Sequence, residues 1–197
     1  MSTLKIASSI ACASALLATS AVAEKFPESA MQAKTFTSSS GQTIGYRLYV
    51  PEVTNATEKV PVVLFLHGAG ERGTNNTAQL VHGVPQIMKY VVNGGHPAVV
   101  IAPQCPTGMQ WVDAPWSAQT STMNADPSKP LQAVIELFAK ELASAPVDRS
   151  RIYVTGISMG GYGTWEMLQR FPEQFAAGMP ICGGGDTNQA SKLVNLP

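Results

Sequence analysis

Three apolar segments without polar alternation constrain the fold more than any other feature of the sequence. They cover residues 60–66, 98–102 and 152–154, and residues 176–182 form a weaker example. A strand with one face in water alternates apolar and polar side chains, whereas uninterrupted runs are typical of strands covered on both faces. These segments therefore predict a buried, mostly parallel sheet with helices on both faces.

The segments between these strands have the period of amphipathic helices. One predicted helix covers residues 85–92 and stops at Asn93-Gly94-Gly95, and another opens at Pro130. The second helix carries one apolar stripe, formed by Leu131, Val134, Ile135, Phe138 and Leu142. Strands that alternate with helices predict βαβ units, and no internal repeat divides them, so we expect one domain.

The domain is predicted to begin with a hairpin. Residues 43–50 alternate apolar and polar side chains and pair with residues 35–37 across a turn rich in serine and glycine. Residues 24–34 show no clear period, and we expect them to be a loose lead-in.

Residues 1–23 have the parts of a secretory signal peptide. A basic Lys5 is followed by an apolar stretch over residues 6–18 and by Ala21-Val22-Ala23, a cleavage site of small residues. The apolar stretch is shorter than the ~20 residues that a membrane span needs. We therefore predict a secreted or periplasmic protein whose mature chain starts near Glu24 and has no membrane attachment after cleavage.

Composition excludes several classes of function. The 197 residues are 45% hydrophobic and 13% charged, which suits a globular domain with a core. Thirteen basic and thirteen acidic residues cancel, so charge gives no reason to expect a nucleic-acid or membrane partner. No group of His, Cys and carboxylate residues has the spacing of metal ligands, and we expect no metal and no other cofactor.

Two cysteines, Cys105 and Cys182, stay in the chain once the predicted signal peptide is removed together with Cys12. In an oxidising compartment they either form one disulfide or remain two thiols at strand ends. The sequence leaves both alternatives open, because it does not show whether the two Cα atoms come within bonding reach.

A Gly156-Ile157-Ser158-Met159-Gly160 turn follows the apolar segment at residues 152–154. A helical pattern from Tyr162 to Phe171 comes after the turn and ends at Pro172. The glycines allow the backbone to bend tightly enough to lift the Ser158 hydroxyl clear of the sheet. The turn also places Ser158 at a helix N-terminus, where N–H groups stabilise negative charge. Ser158 is therefore our candidate for a catalytic nucleophile, with an ordinary structural turn as the alternative.

The loop after the first apolar strand contributes a second part of such a site. Attack on an acyl carbon places negative charge on oxygen, which two converging backbone N–H groups stabilise best. One N–H is expected from Met159, and the other from Ala69, whose neighbouring glycines permit a close approach. We interpret the nearby His67 as a packed or loop-bonding histidine rather than as the catalytic base.

Residues 104–129 form a long segment without a period that contains Trp111 and Trp116. The segment leaves the carboxyl end of a strand, the side where open α/β sheets bind ligands. The two tryptophans are candidates either for the wall of a substrate-binding cleft or for a cap on the core. Asp186 follows a glycine-rich turn after the last predicted strand, and we interpret it as a structural or cleft residue.

Four motifs give the chain a resemblance to the α/β-hydrolase superfamily. They are His67-Gly-Ala-Gly-Glu-Arg-Gly73, Ala102-Pro-Gln-Cys-Pro106, the Asp148 to Trp165 segment around the Ser158 turn, and Pro180-Ile-Cys-Gly-Gly-Gly-Asp186. Within the superfamily the chain resembles secreted esterases grouped with dienelactone hydrolases, polyhydroxybutyrate-depolymerase-like esterases and prolyl-oligopeptidase-type catalytic domains. The resemblance implies hydrolysis of a small or oligomeric carboxylic ester through an acyl-serine. It also implies Ser158 as nucleophile, with Ala69 and Met159 as the oxyanion hole.

The chain departs from that superfamily in one respect. The catalytic residues there run in the order Ser, acid, His, whereas all histidines of this chain precede Ser158, namely His67, His82 and His96. The acidic residues after Ser158 are Glu166, Glu173 and Asp186. We therefore expect residues 24–197 to be part of an α/β-hydrolase domain, whose last strands, catalytic acid and histidine lie beyond residue 197.

Two alternatives to an exported esterase stay open at this point. The same serine chemistry cleaves amides, so an exopeptidase or an oligopeptidase fits the same residues. A non-catalytic binding module or fragment also fits the 197 residues, because a serine without its base loses most of its rate.

Overall fold

A six-stranded sheet organises the part of the chain that the computed structural model describes, residues 28–55 and 57–197. Its strands are β1 Gln32–Thr37, β2 Thr43–Tyr49, β3 Val60–Leu66, β4 Val99–Pro103, β5 Val147–Ile157 and β6 Ala177–Ile181. They stand in the order β1-β2-β4-β3-β5-β6. β2 is antiparallel to β1 and β4, and all other neighbours are parallel. The predicted signal peptide, residues 1–23, lies outside the described residues.

Helices cover both faces of this sheet, as the apolar strands predict. They are α1 Val84–Met88, α2 Lys129–Ser144 and α3 Met159–Arg170, and α1 continues into a π-helical turn over Lys89–Asn93. Along β3, Leu64 and Leu66 pack in the core with α2 and α3, whereas Phe65 packs in the core with α1. Both faces of β3 are therefore apolar. Within residues 28–55 and 57–197, no helix combines the length and the apolar character needed to cross a bilayer.

Most predicted elements are confirmed, and two boundaries are wrong. β5 begins at Val147, well before the predicted residue 152, because its first residue pairs with Val60 across an irregular register. Residues 32–34 are not a loose lead-in but the start of β1, which pairs with β2 from Gln32 onwards. β1 is an edge strand with mostly exposed side chains, so backbone hydrogen bonds form it without an apolar period.

The two cysteines are separate thiols in the described structure. Cys105 follows β4 and is fully buried, whereas Cys182 follows β6 and is exposed. Of the two alternatives that the sequence left open, the structure thus shows the second.

Candidate active site

Ser158 occupies a sharp turn between β5 and α3. β5 ends at Ile157, α3 begins at Met159, and Ser158 between them has φ 54° and ψ −115°. A positive φ is uncommon for a residue with a side chain and marks local strain. The Ser158 N–H donates to the Ile181 carbonyl of β6 at 2.7 Å, and the Ser158 carbonyl accepts from Gly161 at 2.8 Å. These bonds hold the turn so that the Ser158 side chain is exposed.

Two glycines of the turn have no room for a side chain. A Cβ on Gly156 would lie 2.6 Å from the Leu66 carbonyl oxygen, and one on Gly160 would overlap the same carbonyl. The turn therefore packs backbone against backbone on the end of β3, which is the physical reason for glycine at both positions.

The loop after β3 lies beside this turn at the carboxyl edge of the sheet. Leu66 pairs with Gly156 in the parallel ladder, so the two chains leave the sheet side by side. A Cβ placed on Gly68 would lie 3.6 Å from the Ile157 carbonyl oxygen, so the loop approaches the residue before Ser158 closely. The structure thus brings together the two motifs that the sequence places ninety residues apart.

The serine turn and the loop after β3 each contribute one backbone N–H group. Met159 is the first residue of α3, and the first N–H groups of an α-helix have no partner within the helix. Ala69 opens a 3₁₀ turn, Ala69–Glu71, after an extended Gly68. Both N–H groups are donors of the kind that stabilise negative charge developing next to a serine nucleophile.

His67 is a structural histidine, which confirms the interpretation made from the sequence. Its side chain is 1% exposed. The Cys105 N–H donates to Nε2 at 2.9 Å, so Nε2 carries no proton, and Nδ1–H donates to the Gly68 carbonyl at 2.6 Å. Burial lowers the pKa of His67 to about 4, and the nearby Arg72 charge adds to this effect, whereas the Gly68 bond opposes it. With both ring nitrogens bonded, the imidazole is not placed to act as the base for Ser158.

The His67 bond orients the peptide that carries the Ala69 N–H. The carbonyl of Gly68 and the N–H of Ala69 belong to one peptide group, and in a trans peptide they point in opposite directions. Since the carbonyl points at the buried imidazole, the N–H of Ala69 points away from it.

We predict that His67 makes the protein less stable as the pH falls from about 6.5 to about 4. In this range the unfolded state takes up a proton on His67 and the folded state does not, so the free energy of unfolding decreases. The difference between 6.5 and about 4 corresponds to about 3 kcal/mol. Urea unfolding of the wild type and of His67→Gln at pH 7 and pH 4.5 measures this loss of the free energy of unfolding. Glutamine is a suitable replacement because it keeps a donor and an acceptor but does not titrate. Equal losses of stability in the two proteins would contradict the prediction.

The other two histidines do not contact Ser158. His82 is exposed and its Nε2 lies 3.8 Å from a Glu71 carboxylate oxygen, while His96 stacks on Tyr90 with ring centroids 4.2 Å apart. No hydrogen bond joins Ser158 Oγ to a histidine within residues 28–55 and 57–197.

The three residues predicted to bind substrate differ in their exposure and in their hydrogen bonds. Trp111 is fully buried and its indole N–H donates to the His67 carbonyl at 3.0 Å, so it caps the core beneath the loop after β3. Trp116 is 41% exposed. Asp186 is buried, and its carboxylate accepts N–H groups of Met123 at 3.0 Å and Asn188 at 2.9 Å, which lower its pKa.

Cavities lie at both ends of the parallel strands. A cavity of about 520 Å³ borders α3, where Trp165, the glycines 183–185 and Asp186 line it. A cavity of about 750 Å³ lies at the amino ends of the strands, lined in part by Val60, Ala98 and Arg151, and is remote from the turn. The first cavity includes residues that directly follow β6, at the same edge of the sheet as Ser158. A third cavity, of about 600 Å³, is lined in part by Arg72 and Met109.

The sheet order, the helices on both faces and the serine turn after β5 define an α/β-hydrolase fold. Residues 50–185 match the phospholipase/carboxylesterase family, and the chain belongs to this family.

Several proteins are similar to this chain. A thermostable esterase of known crystal structure is 42% identical with a TM-score of 0.77, and the match covers 86% of this chain and 45% of the esterase. Poly(3-hydroxyalkanoate) depolymerase C of Paucimonas lemoignei is 45% identical over 42 residues, which are 21% of this chain and 10% of the depolymerase. The S-formylglutathione hydrolase FrmB of Staphylococcus aureus shares the fold, with 20% identity and a TM-score of 0.57. The match covers 84% of this chain and 66% of FrmB. The chain spans less than half the length of the first two proteins.

Proposed function

We propose that the protein is an exported serine hydrolase that cleaves carboxylic esters through an acyl-serine intermediate. The observation that carries the proposal is the exposed Ser158 in a strained turn, packed against the loop that contains Ala69. Serine turns of this kind between a strand and a helix present a nucleophile above the sheet.

The proposed reaction has two halves. Ser158 Oγ attacks the acyl carbon, its proton passes to a histidine base, and the carbonyl electrons move onto oxygen. The N–H groups of Ala69 and Met159 stabilise that oxyanion, the alcohol leaves with the proton, and water then releases the acid from Ser158 by the same steps. The histidine and the acid that orients it are expected from the resemblance to the superfamily.

Ester substrates are favoured over amides by the proteins to which the chain is similar. One is named an esterase, and another is named a depolymerase of a poly(3-hydroxyalkanoate). We propose a small or oligomeric ester as substrate, with Trp116 and the cavity beside Asp186 as its candidate contacts. Because Trp111 is buried, its proposed part is to support the loop from below.

Export is proposed from residues 1–23, whose composition is that of a cleaved signal peptide. The proposal places the mature protein in the periplasm or the medium.

One experiment tests export and reaction together. The full-length gene product is expressed with its own N-terminus, recovered from the periplasm and medium, and assayed on p-nitrophenyl esters and on aminoacyl p-nitroanilides. We expect a chain that starts near Glu24, turnover of the esters, and slow or no turnover of the anilides. A protein retained in the cytoplasm with residue 1 intact would refute export, and faster turnover of the anilides would favour a peptidase. A protein that neither turns over substrate nor reacts with a fluorophosphonate would favour the non-catalytic alternative.

A further inference from the structure

Ala69 lies between two glycines, which restrict the conformation of its backbone very little. Gly68 and Gly70 flank it, and a Cβ on Gly70 would have no heavy atom within 4 Å. Glycine permits many backbone conformations, so hydrogen bonds must set the direction of the Ala69 N–H. One of these bonds lies within the 3₁₀ turn, where the Glu71 N–H donates to the Gly68 carbonyl at 3.4 Å.

Two side chains supply such bonds, one on each side of Ala69. The His67 ring holds the Gly68 carbonyl, which belongs to the peptide before Ala69. The Arg72 Nε–H donates to the carbonyl of Ala69 itself at 2.8 Å, which belongs to the peptide after it. Side-chain hydrogen bonds therefore fix the orientation of both peptide groups that flank the Ala69 Cα.

Arg72 also ties this loop to a second one. Its Nη1–H donates to the Met109 carbonyl at 3.2 Å, in the long segment that carries Trp111 and Trp116. The Arg72 side chain is partly buried, and the planar guanidinium holds the two carbonyls in one fixed geometry. Within residues 28–55 and 57–197, no other side chain donates a hydrogen bond to the carbonyl of Ala69.

We propose that Arg72 is a positioning residue for the oxyanion hole. It fixes the peptide after Ala69, while His67 fixes the peptide before it, and together they hold the Ala69 N–H in the direction that a developing oxyanion requires. The inference rests on the proposed function and adds a residue to it. Arg72 acts through the Ala69 peptide and through the Met109 loop, and it does not touch the reacting atoms. Loss of the guanidinium frees the peptide after Ala69, whose Gly70 then permits alternative orientations.

The expected effect is smaller than the loss of a complete oxyanion-hole donor, which costs about 10²- to 10³-fold in kcat. In the full-length protein, Arg72→Ala should lower kcat for a p-nitrophenyl ester by roughly 10- to 100-fold and leave KM within about threefold. Arg72→Lys should lie between the wild type and Arg72→Ala, because lysine donates without the planar fork. Arg149→Ala is the matched control, since Arg149 also donates to a backbone carbonyl, that of Leu142 at 3.2 Å, at the far end of β5.

A second readout separates positioning from a general structural role. Each variant is assayed on an ester and on the matching thionoester, in which sulfur replaces the carbonyl oxygen. Sulfur is a weaker hydrogen-bond acceptor, so its reaction depends less on the oxyanion hole. We expect the ester-to-thionoester ratio of kcat to fall in Arg72→Ala by about as much as kcat itself, and methylguanidinium to restore part of it. If Arg72→Ala does not fold, the ester-to-thionoester ratio of kcat in Arg72→Lys distinguishes positioning from a general structural role.

Three outcomes would overturn the assignment of Arg72: wild-type kcat in Arg72→Ala, an unchanged ester-to-thionoester ratio, or an effect confined to KM. A rise in KM alone would show that Arg72 binds substrate directly. These outcomes presuppose an active wild type. A wild type without ester turnover and without fluorophosphonate labelling would instead refute the proposed function.

Discussion

Replacing Ser158 with alanine is expected to lower kcat for ester hydrolysis by roughly 10⁴- to 10⁶-fold and to abolish covalent labelling by a fluorophosphonate. The reason is that the acyl-enzyme cannot form without Oγ, and only the oxyanion hole and substrate binding remain. The fold should persist, because the bonds that hold the turn come from the Ser158 backbone and not from its hydroxyl. The measurement is steady-state hydrolysis of a p-nitrophenyl ester by the full-length protein, with the labelled peptide identified by mass spectrometry.

The matched control is Ser150→Ala. Ser150 lies at the other end of the same strand, where its hydroxyl donates to Asp148 at 2.6 Å in an exposed site. Ser150→Ala should keep wild-type kcat and labelling. Labelling that persists in Ser158→Ala, or that is found on a different serine, would refute Ser158 as the nucleophile.

Gly160→Ala is expected to destabilise the protein by more than about 3 kcal/mol or to prevent its soluble expression. The new Cβ would overlap the Leu66 carbonyl and lie 2.8 Å from the His67 carbonyl oxygen. These are backbone atoms at the end of a central strand, so they cannot move aside as a flexible side chain would. Thermal unfolding of the full-length protein measures the effect, and a soluble variant should melt roughly 10 °C lower.

Activity should fall with stability in Gly160→Ala, since relief of the overlap moves the end of β3 and with it the Ala69 loop. Gly70→Ala is the control for stability, because its Cβ would meet no heavy atom within 4 Å. That substitution should change the free energy of unfolding by less than about 1 kcal/mol. Equal melting temperatures of Gly160→Ala and the wild type would show that the Ser158 turn is not packed against the end of β3.

Several features of this fold were predictable because they depend on local patterns. The uninterrupted apolar runs predict β3 and β4, and the apolar stripe after Pro130 predicts α2. The Ser158 turn was predictable for the same reason, since its glycines are required by tight local geometry. The start of β1 was not, because an edge strand is formed by pairing with β2 and needs no apolar period of its own.

The sequence by itself thus determined the class of fold, the position of the serine turn and the presence of a glycine-rich loop to meet it. The tertiary structure alone decided the bonding partners of His67 and the parts of Trp111 and Arg72. Their partners are 37 to 44 residues away in the chain, at Cys105, the His67 carbonyl and Met109. Sequence periodicity reports which face of an element is buried, but hydrogen bonds between distant loops depend on how those elements pack. For that reason the serine was visible in the sequence, and the residues that hold its neighbouring loop became visible only in the folded chain.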